Sequence, residues 1–311
     1  MTNDGAPLTA SETDAEAPSV AFVTVSYGPD RNRCGLLCRS LDALAPQSFE
    51  HLIVVDRGDL PLFRDLEAGR RRVVATEEVL PRRVRRVATR RLGLRSNIFI
   101  QFGMPIRGWL VQQLVKLTIS RVVSADVIVH ADSDVALVRR FRPGSLVDGE
   151  GRTRLYCKPE AIDKGLPGHV KWHRTAEALL GLTERSLPLP DFITSLVPWK
   201  RENALALLDH LDSRSSRSWM IAVANAWDLS EYVLYGRFVT DVLGDRGRQF
   251  ATTSSLCKDY WAAVPLSEPE IEELLETMAP EEVGLSITAK AGMEPPSYEP
   301  LLRRRWTAAA P

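Results

Sequence analysis

The sequence lacks the signals of several protein classes. Its four cysteines form no CxxC pair and no zinc-type cluster, and no apolar run reaches the roughly 18 residues that a membrane span needs. The N-terminus has no basic-then-apolar signal peptide. Forty basic and forty acidic residues cancel, so net charge does not suggest a nucleic-acid or membrane-surface partner. We therefore expect a cytoplasmic protein with reduced thiols, no transmembrane segment and no nucleic acid bound.

The pattern of apolar residues predicts an α/β fold. A chain of 311 residues with 44% hydrophobic content suits one large domain or two packed lobes. Residues 1–18 contain acids but no Lys or Arg, and we predict a disordered leader there. Strand-like runs alternate with helical patterns, which implies a mostly parallel sheet flanked by helices. We predict strands at 20–26, 51–56, 72–75 and 125–131, and helices at 36–44, 107–123, 168–181, 200–212 and 229–243.

Acidic and aromatic side chains follow the predicted strands. Ligands of parallel sheets bind beyond the carboxyl ends of strands, where Tyr27, Asp30 and Asp56 fall. The triplet Asp132-Ser133-Asp134, here called the acidic triplet, follows the strand at 125–131 directly. We expect the chain to turn after this strand, so that both carboxylates can reach one metal.

Two interpretations of the acidic triplet are open. Mg²⁺ and Mn²⁺ prefer oxygen ligands, and a bound dication would stabilise the diphosphate that leaves when a sugar–phosphate bond breaks. In the other interpretation, the triplet is a strand-ending turn whose aspartates cap backbone N–H groups.

Three segments give the sequence a resemblance to a known superfamily. They are Val23-Thr24-Val25-Ser26-Tyr27-Gly28-Pro29-Asp30, then Trp109–Leu117 leading to the acidic triplet, and Ser230-Glu231-Tyr232-Val233-Leu234-Tyr235-Gly236. In order and spacing the chain resembles the GT-A superfamily of glycosyltransferases, and more closely a little-characterised bacterial branch of glycosyltransferase-like proteins.

The resemblance implies an activity and a domain arrangement. It implies transfer of a sugar from a nucleotide-diphosphate sugar to a saccharide, lipid or small natural-product acceptor, with Mn²⁺ or Mg²⁺ held by Asp132 and Asp134. It places a Rossmann-like nucleotide-sugar-binding half at 19–140, an acceptor-binding half with a C-terminal closing segment at 141–300, and a tail at 301–311. Many such enzymes take a third metal ligand, often His, from near the C-terminus, but every histidine here lies at or before His210. Either two aspartates suffice with phosphates and water, or a late residue such as Asp259 contributes.

Two carboxylates are candidates for the catalytic base. In inverting GT-A enzymes, a carboxylate from a region comparable to Glu231 deprotonates the acceptor hydroxyl, and such a base must lie within hydrogen-bond reach of that proton. The alternative role for Glu231 is that of a helix N-terminal acid. Asp191 is the second candidate, on the acceptor side.

We predict a set of donor contacts around the triplet. Lys116 and Lys290 are candidates to neutralise the diphosphate, Asp56 to bind the base or ribose, and Tyr27 to stack on the base; surface roles stay open for the lysines. The full predicted set is Ser26, Tyr27, Asp30, Asp56, Gln113, Lys116, Ser133 and Lys290.

Other features allow less specific interpretations. Ten arginines fall within 70–95, and the dense run at 82–95 is typical of a solvated helix face or a mobile loop. Trp172, Trp199 and Trp219 could stack on sugars or pack in the core.

Competing functions fit the sequence less well. A haloacid-dehalogenase-type phosphatase would place its motif on the first strand, and a nucleotidylyltransferase would need a Gly-rich loop after that strand. A non-catalytic sugar- or nucleotide-binding protein stays open as the main alternative.

Overall fold

A computed structural model describes residues 17–46, 48–81, 84–87, 98–101, 104–106, 108–215 and 218–308. Within these ranges the strands are β1 (Val20–Val25), β2 (Glu50–Val55), β3 (Arg71–Ala75), β4 (Val84–Val87), β5 (Ile98–Gln101), β6 (Met104–Ile106), β7 (Val127–Ala131), β8 (Val135–Leu137), β9 (Thr153–Tyr156), β10 (Lys158–Ile162), β11 (Leu189–Asp191), β12 (Leu196–Lys200), β13 (Gln249–Thr252), β14 (Cys257–Tyr260) and β15 (Gly284–Ile287). The α-helices are α1 (Arg31–Leu44), α2 (Leu60–Phe63), α3 (Thr76–Val79), α4 (Gly108–Thr118), α5 (Pro167–Leu180), α6 (Arg201–Arg214), α7 (Trp219–Ala224), α8 (Glu231–Arg237), α9 (Glu268–Glu276) and α10 (Glu299–Ala308).

A five-stranded sheet in the order β12-β7-β1-β2-β3 forms the centre of the fold. The pairs β7–β1, β1–β2 and β2–β3 are parallel, and only the edge strand β12 runs antiparallel to β7. The predicted α/β class and mostly parallel sheet are confirmed. Because β12 comes from the second predicted half of the chain, the two halves share this sheet.

Helices cover both faces of the central sheet. Ala21, Val23 and Ile128 face a core shared with α4, α6, α7 and α8, whereas Phe22 and Val129 face a second core that includes α1. Strands buried on both faces read as continuous apolar runs, which is why β1 and β7 were recognisable in the sequence. The alternation also means that residues on β7 at even positions point towards α4 and α8.

The acidic triplet forms the turn between two sheets. The N–H of Val135 donates to the carbonyl of Asp132 at 3.1 Å, and the chain then enters β8 of a three-stranded sheet in the order β14-β15-β8. The turn that the sequence required is therefore present. β15 lies antiparallel to β8, so the closing segment of the chain lies beside the triplet.

The segment predicted as a tail contains a helix up to Ala308. Helix α10 covers most of the segment predicted as a tail at 301–311, and it buries Leu301 and Leu302. The Trp306 indole N–H donates to the carbonyl of Leu137 at 2.9 Å. Most of the predicted leader, residues 1–16, lies outside the described residues.

The arginine-rich stretch contains a strand. β4 pairs antiparallel with β5, with Arg85 opposite Ile100 and Arg86 opposite Phe99. The interpretation of this run as a helix face or loop is wrong for these positions, because the backbone of β4 is paired with that of β5. The rest of the run, at 82–83 and 88–97, lies outside the described residues. Among the described helices, none has the length and apolar character to cross a bilayer.

A buried ionic network fixes α8 against α5. The Arg237 guanidinium contacts Glu177 at 2.9 Å and the His173 ring at 3.3 Å, and all three side chains are buried. Burial lowers the pKa of His173 to about 4, and the neighbouring Arg237 adds to that effect, so the imidazole is neutral at pH 7. The network orients the helix whose first residue is Glu231.

Gly236 allows α8 to approach Phe192 closely, and this gives a test of the packing. A Cβ at position 236 would lie 2.4 Å from the Phe192 ring, closer than side chains tolerate. We expect Gly236→Ala to lower the free energy of unfolding by about 1–3 kcal/mol, because a buried ring or helix must move. Urea denaturation measures the effect. Gly144→Ala, where a Cβ meets nothing within 4 Å, is the matched control; equal losses in both variants would contradict the packing.

Candidate active site at the carboxyl end of the central sheet

The ends of β1 and β7 meet at one edge of the sheet. The Ser133 hydroxyl donates to the Ser26 hydroxyl at 2.8 Å, and both side chains are buried. The N–H of Asp132 donates to the carbonyl of Ser195 at 3.0 Å, in the loop that leads into β12. These bonds fix the acidic triplet from both neighbouring strands, so its two carboxylates have a rigid support.

Lys116 connects the acidic triplet to the candidate base. Its ammonium lies 3.1 Å from Asp132 Oδ1 and 3.0 Å from Glu231 Oε1, and it donates to the Tyr232 hydroxyl at 2.8 Å. Asp132 follows β7, Lys116 lies on α4, and Glu231 begins α8. One buried cation therefore holds two of the predicted functional carboxylates together.

The ammonium stays charged despite its burial. Burial alone would lower the pKa of Lys116, but the carboxylates of Asp132 and Glu231 outweigh it and hold that pKa well above its usual value. Burial, with Asp132 nearby, also raises the pKa of Tyr232, so its hydroxyl is neutral. Below them lies His130, whose pKa is lowered by burial and by Lys116. Neither of its ring nitrogens has a hydrogen-bond partner among the described residues.

The carboxylate of Asp134 is in a less favourable electrostatic environment than that of Asp132. Burial raises its pKa to about 7, and the charges of Asp132 and Asp30 act in the same direction. The Ser286 hydroxyl and the N–H of Ala289 donate to its carboxylate, the former at 3.4 Å. Because the negative charges of Asp132 and Asp30 lie close enough to raise the pKa of Asp134, a cation bound between them would be stabilising.

The closing segment of the chain lies over the triplet. Besides Ser286 and Ala289, it carries Lys290, which is exposed in a short 3-10 turn and follows Ala289 directly. Arg33 at the start of α1 donates to the carbonyl of Met293 at 2.6 Å and to Glu294 at 3.0 Å. These contacts bring the first helix and the last strand to the same site.

The remaining predicted donor contacts differ in how accessible they are. Tyr27 is 45% exposed at the end of β1, and Asp30 pairs with Arg33 at 3.4 Å. Asp56 accepts the N–H of Gly58 at 3.0 Å, so part of its carboxylate stabilises the turn after β2. Gln113 is buried, and neither amide atom has a partner among the described residues.

Asp191 and Asp259 lie beyond the triplet, on the side of β11 and β14. The N–H of Ile193 donates to Asp191 at 3.0 Å, and burial raises the pKa of this carboxyl. Asp259 accepts hydrogen bonds from the Thr194 hydroxyl at 2.7 Å and the Ser195 N–H at 3.3 Å. No group of three or more His, Cys, Asp or Glu side chains suited to a metal occurs in the described part of the chain.

Several alternatives from the sequence can now be separated. Ser230, not Glu231, caps α8, because its hydroxyl accepts the Val233 N–H at 3.4 Å. Glu231 instead points at Lys116. Trp199 and Trp219 are fully buried, and Trp199 stacks on Tyr235 with ring centroids 4.3 Å apart, so these two are core residues.

Sequence reasoning missed several polar residues of the site. Tyr232 supplies a hydroxyl to Lys116, Ser286 contacts Asp134, and Asp59 accepts the N–H of Gly28 at 2.8 Å. Tyr232 could have been found as the neighbour of Glu231 in a quoted segment. Ser286 and Asp59 carried no signal, because their positions depend on long-range pairing.

The described residues fit a hard divalent cation with an incomplete protein ligand set. Asp132 and Asp134 offer carboxylate oxygens within one rigid turn, and oxygen ligands are those that Mg²⁺ and Mn²⁺ take. Burial and the charge of Asp132 raise the pKa of Asp134, so a bound cation would be needed to favour its ionised form. Phosphate oxygens and water would have to supply the other positions.

A family match covers most of the chain, residues 21–278. The chain belongs to DUF6492, a family of unknown function. No curated protein matches this DUF6492 member. It is similar to the galactosyltransferase LgtC in complex with donor and acceptor sugar analogs, at 11% identity and a TM-score of 0.43 over 93% of this chain and 95% of that one. The chain is also similar to an active-site mutant of LgtC, at 12% identity and a TM-score of 0.43, with 86% of each chain covered. A third similar structure is the bifunctional glycosyltransferase WbbM, at 11% identity and a TM-score of 0.46 over 95% of this chain and 53% of that one. At such low values, these structures do not bear on the activity of the DUF6492 protein.

The contacts of Lys116 predict a specific stability effect. We expect Lys116→Met to lower the free energy of unfolding by about 3 kcal/mol, because it leaves Asp132 and Glu231 without their buried cation. Urea denaturation measures it. A Lys116→Met/Glu231→Gln double variant should lose less than the two single losses combined.

Lys200→Met is the matched control for this cycle. Lys200 pairs at 3.0 Å with the largely exposed Glu202, so its loss should stay within about 1 kcal/mol. Strict additivity of the Lys116 and Glu231 variants would contradict the ion pair.

Proposed function

We propose that this DUF6492 protein is a metal-dependent glycosyltransferase of the GT-A type. It would transfer a sugar from a nucleotide-diphosphate sugar to an acceptor hydroxyl, with Mn²⁺ or Mg²⁺ held by Asp132 and Asp134. The observation that carries the proposal is the Lys116 bridge. It brings the first aspartate of the triplet and the candidate base Glu231 to one ammonium, at 3.1 and 3.0 Å.

The donor would bind across the ends of β1 and β7. The cation at the triplet would neutralise the charge that develops on the departing diphosphate. Lys290, exposed beside Ala289, places a second positive charge at the same edge. Tyr27 presents an exposed ring for stacking on the nucleotide base, and Asp56 lies at the end of the neighbouring strand β2.

Glu231 would act on the acceptor side of the same site. Its carboxylate is buried and oriented by Lys116, and it lies at the first residue of a helix held by the Arg237 network. A base oriented in this way can accept the proton of an acceptor hydroxyl that attacks the sugar. Asp191 directly precedes the loop 192–195. It is the second candidate for a carboxylate that contacts the acceptor.

The metal and donor assignments have a direct test in thermal stability. We expect UDP, GDP or ADP, or one of their sugar conjugates, to raise the melting temperature in the presence of Mn²⁺ and much less in EDTA, because ligands that bind the folded state stabilise it. Asp132→Asn and Asp134→Asn should each abolish that metal-dependent shift and sugar transfer. Asp65→Asn, at an exposed position paired with Arg31, is the control. A melting-temperature shift equal to that of the wild type in both triplet variants, or in EDTA, would contradict the metal assignment.

The base assignment is separable from donor binding. We expect Glu231→Gln to reduce turnover by about 10²–10⁴-fold, because the acceptor hydroxyl loses its proton acceptor. The nucleotide- and Mn²⁺-dependent thermal shift should be nearly unchanged, since Lys116 and Asp132 keep their contact. Turnover equal to wild type would remove Glu231 as the base, and Asp191→Asn would then be the next variant to assay.

A further inference from the structure

Three aromatic rings form a surface next to the candidate active site. Trp109 lies in the first turn of α4, and His169 and Trp172 lie on α5. The Trp109 and Trp172 ring centroids are 5.8 Å apart with planes tilted by 34°, and those of His169 and Trp172 are 4.5 Å apart at 36°. We call these three residues the aromatic platform.

The platform is not explained by packing alone. Trp109 is 46% exposed, whereas Trp172 is half-buried and packs on the main core. The Nδ1 atom of His169 is shielded and has no hydrogen-bond partner among the described residues. The exposed Trp109 indole, supported by the Trp172 indole, offers a rigid apolar face. The nearby His169 imidazole has one nitrogen without a hydrogen-bond partner among the described residues.

Polar groups lie at the edge of the platform. His173, one turn after His169 on α5, contacts the carbonyl of Pro190 at 2.9 Å, which brings α5 against the residue before Asp191. Lys158 on β10 lies directly opposite Asp191. Burial raises the pKa of Asp191, and the charges of His169 and Lys158 oppose that rise, so both groups are close enough to be felt by the carboxylate.

The strand beside Asp191 is distorted. The register of β10 against β11 shifts between Lys158 and Ile162. Glu160, within this stretch, has a φ of 54°, a conformation that residues other than glycine rarely adopt. Bulges of this kind bend a strand and re-aim its side chains, and they are frequent next to active sites. The distortion is a second observation, besides the aromatic rings, that distinguishes this edge from a regular strand.

The platform is continuous with the donor site. From Asp191 the chain runs through the loop 192–195 to Ser195, whose carbonyl accepts the Asp132 N–H at 3.0 Å. Along α4, Trp109 lies two turns before Lys116, so the same helix contributes to both places. A ligand stacked on Trp109 would therefore lie roughly 10 Å along α4 from Lys116, on the helix that also contributes to the candidate active site.

We propose that Trp109, Trp172, His169 and Asp191 form the acceptor subsite and that the acceptor is a saccharide, bound with one pyranose ring stacked on the indoles. This rests on the proposed glycosyl transfer and names its second substrate. A pyranose ring has an apolar C–H face for the indoles and hydroxyls at its edge for the carboxylate and imidazole. A lipid chain would match the indoles but would offer no hydroxyl groups to Asp191.

Saturation-transfer NMR on the full chain tests the subsite without donor or metal. The probes are methyl α-D-glucopyranoside, methyl α-D-mannopyranoside and methyl β-D-galactopyranoside. We expect ring C–H protons of at least one probe to be saturated by the wild-type protein. Trp109→Ala should weaken that binding by roughly two- to tenfold, and Trp109→Phe should keep most of it because the ring face remains.

Two controls separate the subsite from folding and from the donor site. Val122→Ala removes an exposed apolar group just beyond the opposite end of α4 and should leave probe binding unchanged. The nucleotide- and Mn²⁺-dependent thermal shift should be the same in Trp109→Ala as in wild type.

The outcomes distinguish the two proposals. No probe saturation with wild type, or equal binding by wild type, Trp109→Ala and Asp191→Asn, would overturn the subsite while leaving the donor assignment intact. Probe binding that depends on Trp109, in a protein that no nucleotide stabilises, would support the platform and overturn glycosyl transfer.

Discussion

The Lys116 ammonium lies between two carboxylates that come from distant parts of the chain. Asp132 follows a central strand, Glu231 begins a helix 99 residues later by number, and the lysine itself belongs to a helix that covers the sheet. Removing two charges from water is costly unless they are well paired, so such a triad is maintained only where the geometry is fixed. The Ser26–Ser133 bond and the Arg237 network provide that fixation from either side.

The site combines one well-compensated carboxylate with one that is poorly compensated. Asp132 has a lysine at 3.1 Å, whereas the hydrogen bonds that Asp134 accepts do not offset its burial, and its pKa is raised to about 7. Proteins tolerate strained groups of this kind chiefly where function requires them, and they offset the cost elsewhere. In this chain the large cores on both faces of the sheet provide the offset.

The sequence predicts the parts of this fold that depend on local patterns. β1, β2 and β7 are apolar runs with turn signals at their ends, and α4 has a clear helical period, so these elements and the turn at the acidic triplet could be anticipated. The helical pattern at 229–243 corresponds to α8 and to the π-helix Phe238–Leu243 that continues it, and the change of helix type at Arg237 was not predicted.

Long-range pairing was beyond reach of the sequence. The antiparallel edge strand β12, the pairing of β15 with β8, and the contact of Lys116 with both Asp132 and Glu231 depend on segments far apart in the chain. Single-sequence patterns carry no information on such partners. The arginine-rich stretch was also misinterpreted, since Val84-Arg85-Arg86-Val87 has no alternation of apolar and polar residues and its strand depends on pairing with β5.

The pairing of β8 with β15 also has a consequence for biosynthesis. Leu137 on β8 pairs with Gly284 on β15, and 284 − 137 gives a separation of 147 residues. At ribosomal rates of 5–20 residues per second, the strand that follows the acidic triplet waits on the order of 10–30 s for its partner. Until then the edge of β8 that pairs with β15 is unpaired, and unpaired strand edges are prone to pair with other chains.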